Sequence, residues 1–223
     1  MPTVLITGAN RGLGLEFARQ YAADGWRVIA TSRSLEKTAA LRALRAEVHP
    51  LDVADIAAVA AFGRELQRET IDVLIANAGI AGPRGMTAEA IDAAGWAETF
   101  RVNAMAPLAL AGVFAVQVAR SEQRKMIAIG SRLGSISVNN EGGMFAYRSS
   151  KAALNAVWHS FAIDHRELVV AVLHPGWVRT DMGGKSAALG VDESVAGMRR
   201  VIAGLGKAES GGFFSHDGGP IPW

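Results

Sequence analysis

The sequence predicts an α/β domain, a mainly parallel sheet covered by helices on both faces, in one unit spanning all 223 residues. Three observations predict it. Short apolar, β-branched runs alternate six times with helix-period segments, the signature of βαβ crossovers rather than hairpins. The first run ends in a glycine-rich turn that opens a helix. A composition that is 50% hydrophobic with 25 glycines suits one sizeable core with tight turns and closely packed helices.

Val4-Leu5-Ile6 is the first strand, followed by Thr7-Gly8-Ala9-Asn10-Arg11-Gly12-Leu13-Gly14 and a helical pattern through Tyr21 and Ala22. A glycine turn between a strand and a helix N-terminus makes a phosphate cradle, because the backbone can approach closely and the helix end favours an anion. The spacing is G-x-x-x-G-x-G rather than G-x-G-x-x-G, and the plain alternative is a βα turn without a ligand.

The second strand, residues 27–31, ends at Ser32-Arg33-Ser34. In a dinucleotide-binding fold an acid at this strand end holds a ribose 2′-hydroxyl, whereas an arginine accommodates a 2′-phosphate. Ser32 stands where the acid is expected, Arg33 follows it, and Arg11 adds a second cation, so NADP(H) is favoured over NAD(H). Glu36 competes, but it falls in the first turn of the next helix, where a carboxylate suits the dipole. Arg33 also has a plain reading as a solvated surface cation.

A third strand near residues 46–50 leads into Leu51-Asp52-Val53 and a helix over about 54–68. Asp52 fits two roles, as N-cap of that helix or as a contact to a cofactor's adenine from a strand's carboxyl end. The fourth strand, residues 71–75, is nearly continuously apolar, as for a strand buried on both faces, and ends in the polar turn Asn77-Ala78-Gly79. From Trp96 to about Arg120 the pattern is helical and contains Asn103. Pro107 should bend or interrupt it, because proline lacks a backbone donor. One apolar face should pack on the sheet, and a second fits either core packing or a subunit contact.

The fifth strand, residues 126–130, delivers Ser131 at its carboxyl end, and a loop with Asn139, Asn140, Gly142 and Gly143 leads to a helix carrying Tyr147 and Lys151. Residues four apart on a helix share a face. A free phenol, with a pKa near ~10, exchanges protons poorly at neutral pH, and a neighbouring ammonium stabilises the phenolate and lowers that value. Tyr147 could then give a proton to a carbonyl oxygen, or take one from an alcohol, while a serine hydroxyl holds the same oxygen. The same spacing also occurs on solvated helix faces, so the surroundings decide. The sixth strand, residues 168–173, ends in His174-Pro175-Gly176-Trp177-Val178, and Thr180-Asp181-Met182 follows. A helix over about 192–205 and a short strand near 212–215 complete the chain. Right-handed crossovers place Thr7, Ser32, Asn77, Ser131 and Pro175 on one edge of the sheet.

Composition excludes several classes. A net charge of +2 is no footprint for nucleic acid. With no cysteine, disulfides, thiolate nucleophiles and cysteine-ligated metals are ruled out. His49, His159, His165, His174 and His216 show no metal-ligand spacing, and no metal site is assigned. The longest apolar run, residues 104–116, is interrupted by Pro107 and too short for a bilayer. Met1-Pro2-Thr3 runs straight into a strand without a basic leader, so the expectation is a cytoplasmic protein with a small-molecule substrate and no membrane partner.

These residues, in this order, resemble the short-chain dehydrogenase/reductase family over nearly the whole chain: the turn from Thr7 to Gly14, Asp52, Asn77-Ala78-Gly79, Asn103, Ser131, Tyr147 with Lys151, and Pro175-Gly176. The stretches 142–151, 173–182 and 211–223 resemble its Sniffer carbonyl reductase and C-factor branch. The resemblance implies a Rossmann-type, doubly wound seven-stranded sheet and reversible hydride transfer between a nicotinamide and a carbonyl or alcohol carbon. Tyr147 would be the general acid in reduction. Lys151 would lower its pKa and bind the nicotinamide ribose, Ser131 would orient the substrate oxygen, and Asn103 would help hold a relay water. Thr7, Gly8, Arg11, Gly12, Leu13 and Gly14 would surround the pyrophosphate and adjoining ribose, with Ser32 and Arg33 at the 2′-phosphate and Asp52 and Val53 at adenine. Asn77, Ala78 and Gly79 would lie along the cofactor, with Pro175, Gly176, Val178 and Thr180 at the carboxamide.

Two features depart from the family pattern. Gly130 precedes Ser131 where a serine pair is common, and Ser135 competes as the orienting hydroxyl. The stretch between Thr180 and Asp192 is shorter than the usual substrate lid, leaving a pocket that is open or completed by another subunit. Met144, Trp177 and Met182 could line an apolar pocket or simply pack. The leading expectation is an NADPH-dependent reductase of ketones, aldehydes or quinones, as a homodimer by analogy with relatives. The alternative is a cofactor-binding regulatory or signalling protein with little turnover.

Overall fold

The computed structural model describes all 223 residues. Seven strands, β1 (Thr3–Ile6), β2 (Arg27–Ser32), β3 (Glu47–Pro50), β4 (Val73–Ala76), β5 (Lys125–Ile129), β6 (Val169–His174) and β7 (Phe213–Ser215), form one sheet in the order β3-β2-β1-β4-β5-β6-β7. Every neighbouring pair is parallel. The order runs outward from β1 to β3 and then returns to β4, so a crevice opens at the carboxyl ends beside β1 and β4, where open α/β sheets bind ligands.

The connecting helices are α1 (Gly12–Ala23), α2 (Ala39–Ala43), α3 (Ile56–Glu65), α4 (Ala93–Phe100), α5 (Ala106–Ala119), α6 (Phe145–Asp164) and α7 (Val191–Gly204). Along β1, Val4 and Ile6 enter the core that Phe17 of α1 and Met198 of α7 share, while Leu5 enters the core of Phe114 and Trp158 on the opposite face. That division follows from the two-residue period of a strand, and cover on both faces is why the strands read as unbroken apolar runs.

Three details differ from the sequence reading. The helix expected from 54 starts at Ile56, and its N-cap is Asp55, whose carboxylate accepts from the Ala58 amide at 3.0 Å. Asp52 instead accepts from the Ala54 amide at 3.0 Å, making a separate turn before the helix. The helical run expected from Trp96 already starts at Ala93 and passes without interruption through a π turn at Arg101–Met105 into α5, whose first turn holds Pro107. The whole run Ala93–Ala119 is long and apolar enough to cross a membrane by length and composition, yet 61% of its most apolar window is buried, as in a core helix. It packs on β4 and β5 between α3 and α6.

Candidate active site

The glycine turn is built for close approach. Gly8 and Gly12 have φ of 63° and 55°, conformations that favour glycine. A Cβ on Gly14 would stand 2.5 Å from the Gly8 carbonyl and 2.6 Å from Asn77 Nδ2. The Asn77 side chain braces the turn by donating to the carbonyls of Thr7 (2.9 Å) and Gly8 (3.1 Å), while Thr7 Oγ1 accepts from the amides of Asn77 (3.1 Å) and Ala78 (3.2 Å). Ala78 lies against Gly8, at 3.0 Å from the position of an added Cβ. Leu13 is partly buried, and Val53 is buried at the end of the β3 connection.

Across the crevice, the Thr180 methyl stands 3.7 Å from where a Gly12 Cβ would be, so the loop after β6 faces the glycine turn. The two are clasped by Arg11 and Asp181 at 2.6 Å, an exposed ion pair. In this state Arg11 is spent on that pair rather than free as a second cation. Ser32 is buried, its hydroxyl turned back to the Ser34 carbonyl (3.0 Å). Arg33 is exposed at the strand end, with no hydrogen bond or ion pair to its guanidinium. The Pro175 carbonyl is tied down by Ser194 Oγ (2.6 Å), Gly176 has a φ of 83°, and Val178 is buried and bridged to Leu189.

The end of β5 brings the proton-transfer candidates together. Ser131 is buried, its hydroxyl accepts from the Leu133 amide (3.2 Å), and it lies near enough to the Tyr147 phenol to lower the phenol's pKa. The short turn Arg132–Gly134 then packs on α6 so tightly that a Gly134 Cβ would meet the Lys151 backbone at 2.7 Å. Ser135, the competing hydroxyl, donates instead to the carbonyls of Pro222 and Trp223. Geometry therefore pairs Ser131, and not Ser135, with the phenol.

Lys151 is 5% exposed, and its ammonium donates to the Ile129 carbonyl at 2.8 Å. It lies 5.9 Å from the centre of the Tyr147 ring. Burial holds the ammonium down to about 8. The phenol differs from the sequence reading: burial raises its pKa, and the nearby Ser131 hydroxyl lowers it only in part. The reason is direction, since Lys151 reaches past the ring to a strand carbonyl while desolvation penalises the phenolate. Asn103, in the π turn, is fully buried and spends its amide on the Ile80 backbone, accepting from the amide (2.9 Å) and donating to the carbonyl (2.8 Å), with a further bond to Ser150 Oγ (3.0 Å). Gly79 leaves room here, for an added Cβ would stand 3.3 Å from Asn103 Oδ1 and 3.8 Å from Lys151 Nζ.

Met144, Trp177 and Met182 are 52%, 59% and 46% exposed, which excludes ordinary core packing for all three. Trp177 is oriented by a hydrogen bond from its indole to the Gly183 carbonyl (2.9 Å). The sequence reading passed over His174, His216 and Arg132, which line a cavity of about 420 Å³ at the same sheet edge. No spacing rule links residues 42 apart, and only the pairing of β6 with β7 brings the two histidines together.

Known proteins resemble this chain in sequence and in fold. The short chain dehydrogenase family pattern matches residues 2–188. The C-signal protein of Myxococcus xanthus is 42% identical over 165 residues, covering 73% of this chain and 99% of that protein. The carbonyl reductase Sniffer of D. melanogaster superposes with a TM-score of 0.92 at 32% identity, over 100% of both chains. The NADPH-bound carbonyl reductase from chicken fatty liver superposes at 0.90 with 33% identity, over 100% of this chain and 99% of the other.

Proposed function

This chain belongs to the short-chain dehydrogenase family, and from that premise we propose that it is an NADPH-dependent reductase of ketones, aldehydes or quinones. The observation that carries the proposal is the juxtaposition of Ser131, Tyr147 and Lys151 at the end of β5, beside a cradle in which a Cβ on Gly8 or Gly14 would be crowded. NADPH fits that cradle: the turn from Thr7 to Gly14 offers α1's N-terminus to a pyrophosphate, and the unpaired Arg33 stands where a 2′-phosphate would lie.

Bound NADPH would supply the hydride to the carbonyl carbon. Tyr147 gives its proton to the carbonyl oxygen, completing the alcohol, while the Ser131 hydroxyl holds that oxygen in place. A phenol kept protonated by burial suits the acid role in reduction. Lys151, beside the ring, offers positive charge as the phenolate forms, and Asn103 fixes the β4 turn against it. Pro175, Gly176, Val178 and Thr180 close the nicotinamide end, Asp52 and Val53 the adenine end, and Met144, Trp177 and Met182 rim the substrate mouth.

We read residues 1–223 as one nicotinamide-binding domain working in the cytoplasm. The exposed apolar side chains Met105, Leu108 and Val116, with Ile163 on α6, suit pairing of two copies. The likeness to C-signal supports a second reading, a cofactor-binding regulatory protein with little turnover.

Oxidation of NADPH and NADH, followed by absorbance across aldehydes, ketones, quinones and dicarbonyls, tests the proposal. Turnover with preference for NADPH is expected. Tight NADPH binding with no turnover across the panel would favour the regulatory reading.

A further inference from the structure

The cavity of about 420 Å³ beside the Pro175-Gly176 loop has a built wall. Residues after β7 fold back on it: the Gly218 amide bonds the Ser215 carbonyl (2.9 Å), the Ser215 amide bonds the Gly219 carbonyl (2.8 Å), and the Ile221 amide bonds the Phe213 carbonyl (2.8 Å). This folded turn holds His216 against the loop, its Nδ1 3.3 Å from where a Gly176 Cβ would be and 3.2 Å from Ser215 Oγ.

Three features give the cavity its chemistry. Arg132, the residue after Ser131, lines it with a guanidinium that makes no hydrogen bond or ion pair. His174 lines it from the end of β6, and its Nδ1 is buried with no hydrogen-bond partner, an uncompensated polar atom. Burial, with His216 and Arg132 nearby, holds His174 down to about 4, so it stays neutral and offers hydrogen bonds rather than charge. Asp217 is at the rim, its carboxylate engaged by the Gly219 amide at 3.1 Å.

We propose that this cavity recognises a carboxylate, so that the chain reduces carbonyl compounds bearing a carboxylate on the side remote from the reacting carbon. The substrate assignment rests on the reductase reading, since the lining residue Arg132 follows Ser131 in the chain and the lining residue Gly176 belongs to the loop assigned to the nicotinamide. The guanidinium alone matches a single negative charge, and with the Asp217 carboxylate also among the lining residues a phosphate dianion would be left under-neutralised. The neutral His174 imidazole adds hydrogen-bonding capacity to the guanidinium's fixed charge.

The test is calorimetric titration of the full chain with 4-phenylbutanoate and with its uncharged amide, neither of which is reduced, so that the result does not depend on turnover. The acid should bind at least about tenfold more tightly, the scale of one charge-assisted hydrogen bond. Arg132→Gln should erase that preference, and Asp217→Asn, which keeps the oxygen that accepts from Gly219, should enlarge it. Equal binding of acid and amide, or a preference that survives in Arg132→Gln, would overturn the proposal. NADPH oxidation with a neutral quinone scores the reductase reading separately.

Discussion

The ammonium of Lys151 is hydrogen-bonded to the carbonyl of Ile129 at 2.8 Å, two residues before Ser131. The lysine therefore ties α6, which carries Tyr147, to the strand end that carries the serine. Its contribution is positional as well as electrostatic, and it is made at the cost of burying a charge.

That burial gives a stability prediction. The folded pKa of Lys151 is about 8, against 10.5 in the unfolded chain. Between those values the unfolded chain binds more protons, so the site's contribution to stability rises with pH across that window and its penalty is complete below it. Lys151→Met should be more stable than the parent at pH 7, by up to about 3 kcal/mol less what the Ile129 hydrogen bond returns, and the gap should close toward pH 10.5. Denaturant unfolding at pH 7 and pH 10 checks this, and a gap that widens with pH would contradict it. The same variant should lose at least about 100-fold in turnover.

The two serines should separate cleanly. Ser131→Ala removes the hydroxyl beside the phenol and should lower kcat about 100-fold with NADPH affinity kept. Ser135→Ala should release the Pro222 and Trp223 carbonyls, costing about 1 kcal/mol of stability while most turnover remains. Steady-state kinetics and thermal unfolding on both variants decide between them.

Gly14 and Gly112 offer a contrast within helices. Alanine at Gly14 would place a Cβ 2.5 Å from the Gly8 carbonyl and should cost about 1–3 kcal/mol together with NADPH affinity. Alanine at Gly112, where nothing lies within 4 Å, should stabilise by about 0.5–1 kcal/mol. Chemical denaturation with and without NADPH reads both effects.

Arg33→Asp should weaken NADPH at least about tenfold and change NADH by less than threefold, because the guanidinium has no other partner to release. Titrations of the two cofactors, followed by cofactor fluorescence, make the comparison. Equal losses would remove Arg33 from the 2′-phosphate site.

Much of this was legible in the chain, for local reasons. The apolar runs at 4–6, 71–75 and 126–130, Asp72 apart, read as strands, and the turn from Thr7 to Gly14 followed directly from one of them. Tyr147 and Lys151 were readable because four residues on a helix guarantee a shared face. The direction of the lysine was not, since its partner carbonyl lies on a strand 22 residues earlier. Asp52 was readable as a helix cap, but the cap is Asp55, because its carboxylate reaches the amide three residues on while that of Asp52 reaches only the Ala54 amide. Asn103 was placed in a helix, but the π turn that aims it at Ile80 leaves no periodic trace. His174, His216 and Arg132 come from three different strand ends and meet only once the sheet is assembled.

Replacement of Tyr147 by phenylalanine tests the central claim most directly. The hydroxyl is lost while the ring and the helix remain, so NADPH should bind as in the parent and carbonyl reduction should fall by at least about 100-fold at every pH. Reduction at the parent rate by Tyr147→Phe would show that the proton comes from elsewhere, and the assignment of Ser131, Tyr147 and Lys151 as the reacting group would fall with it.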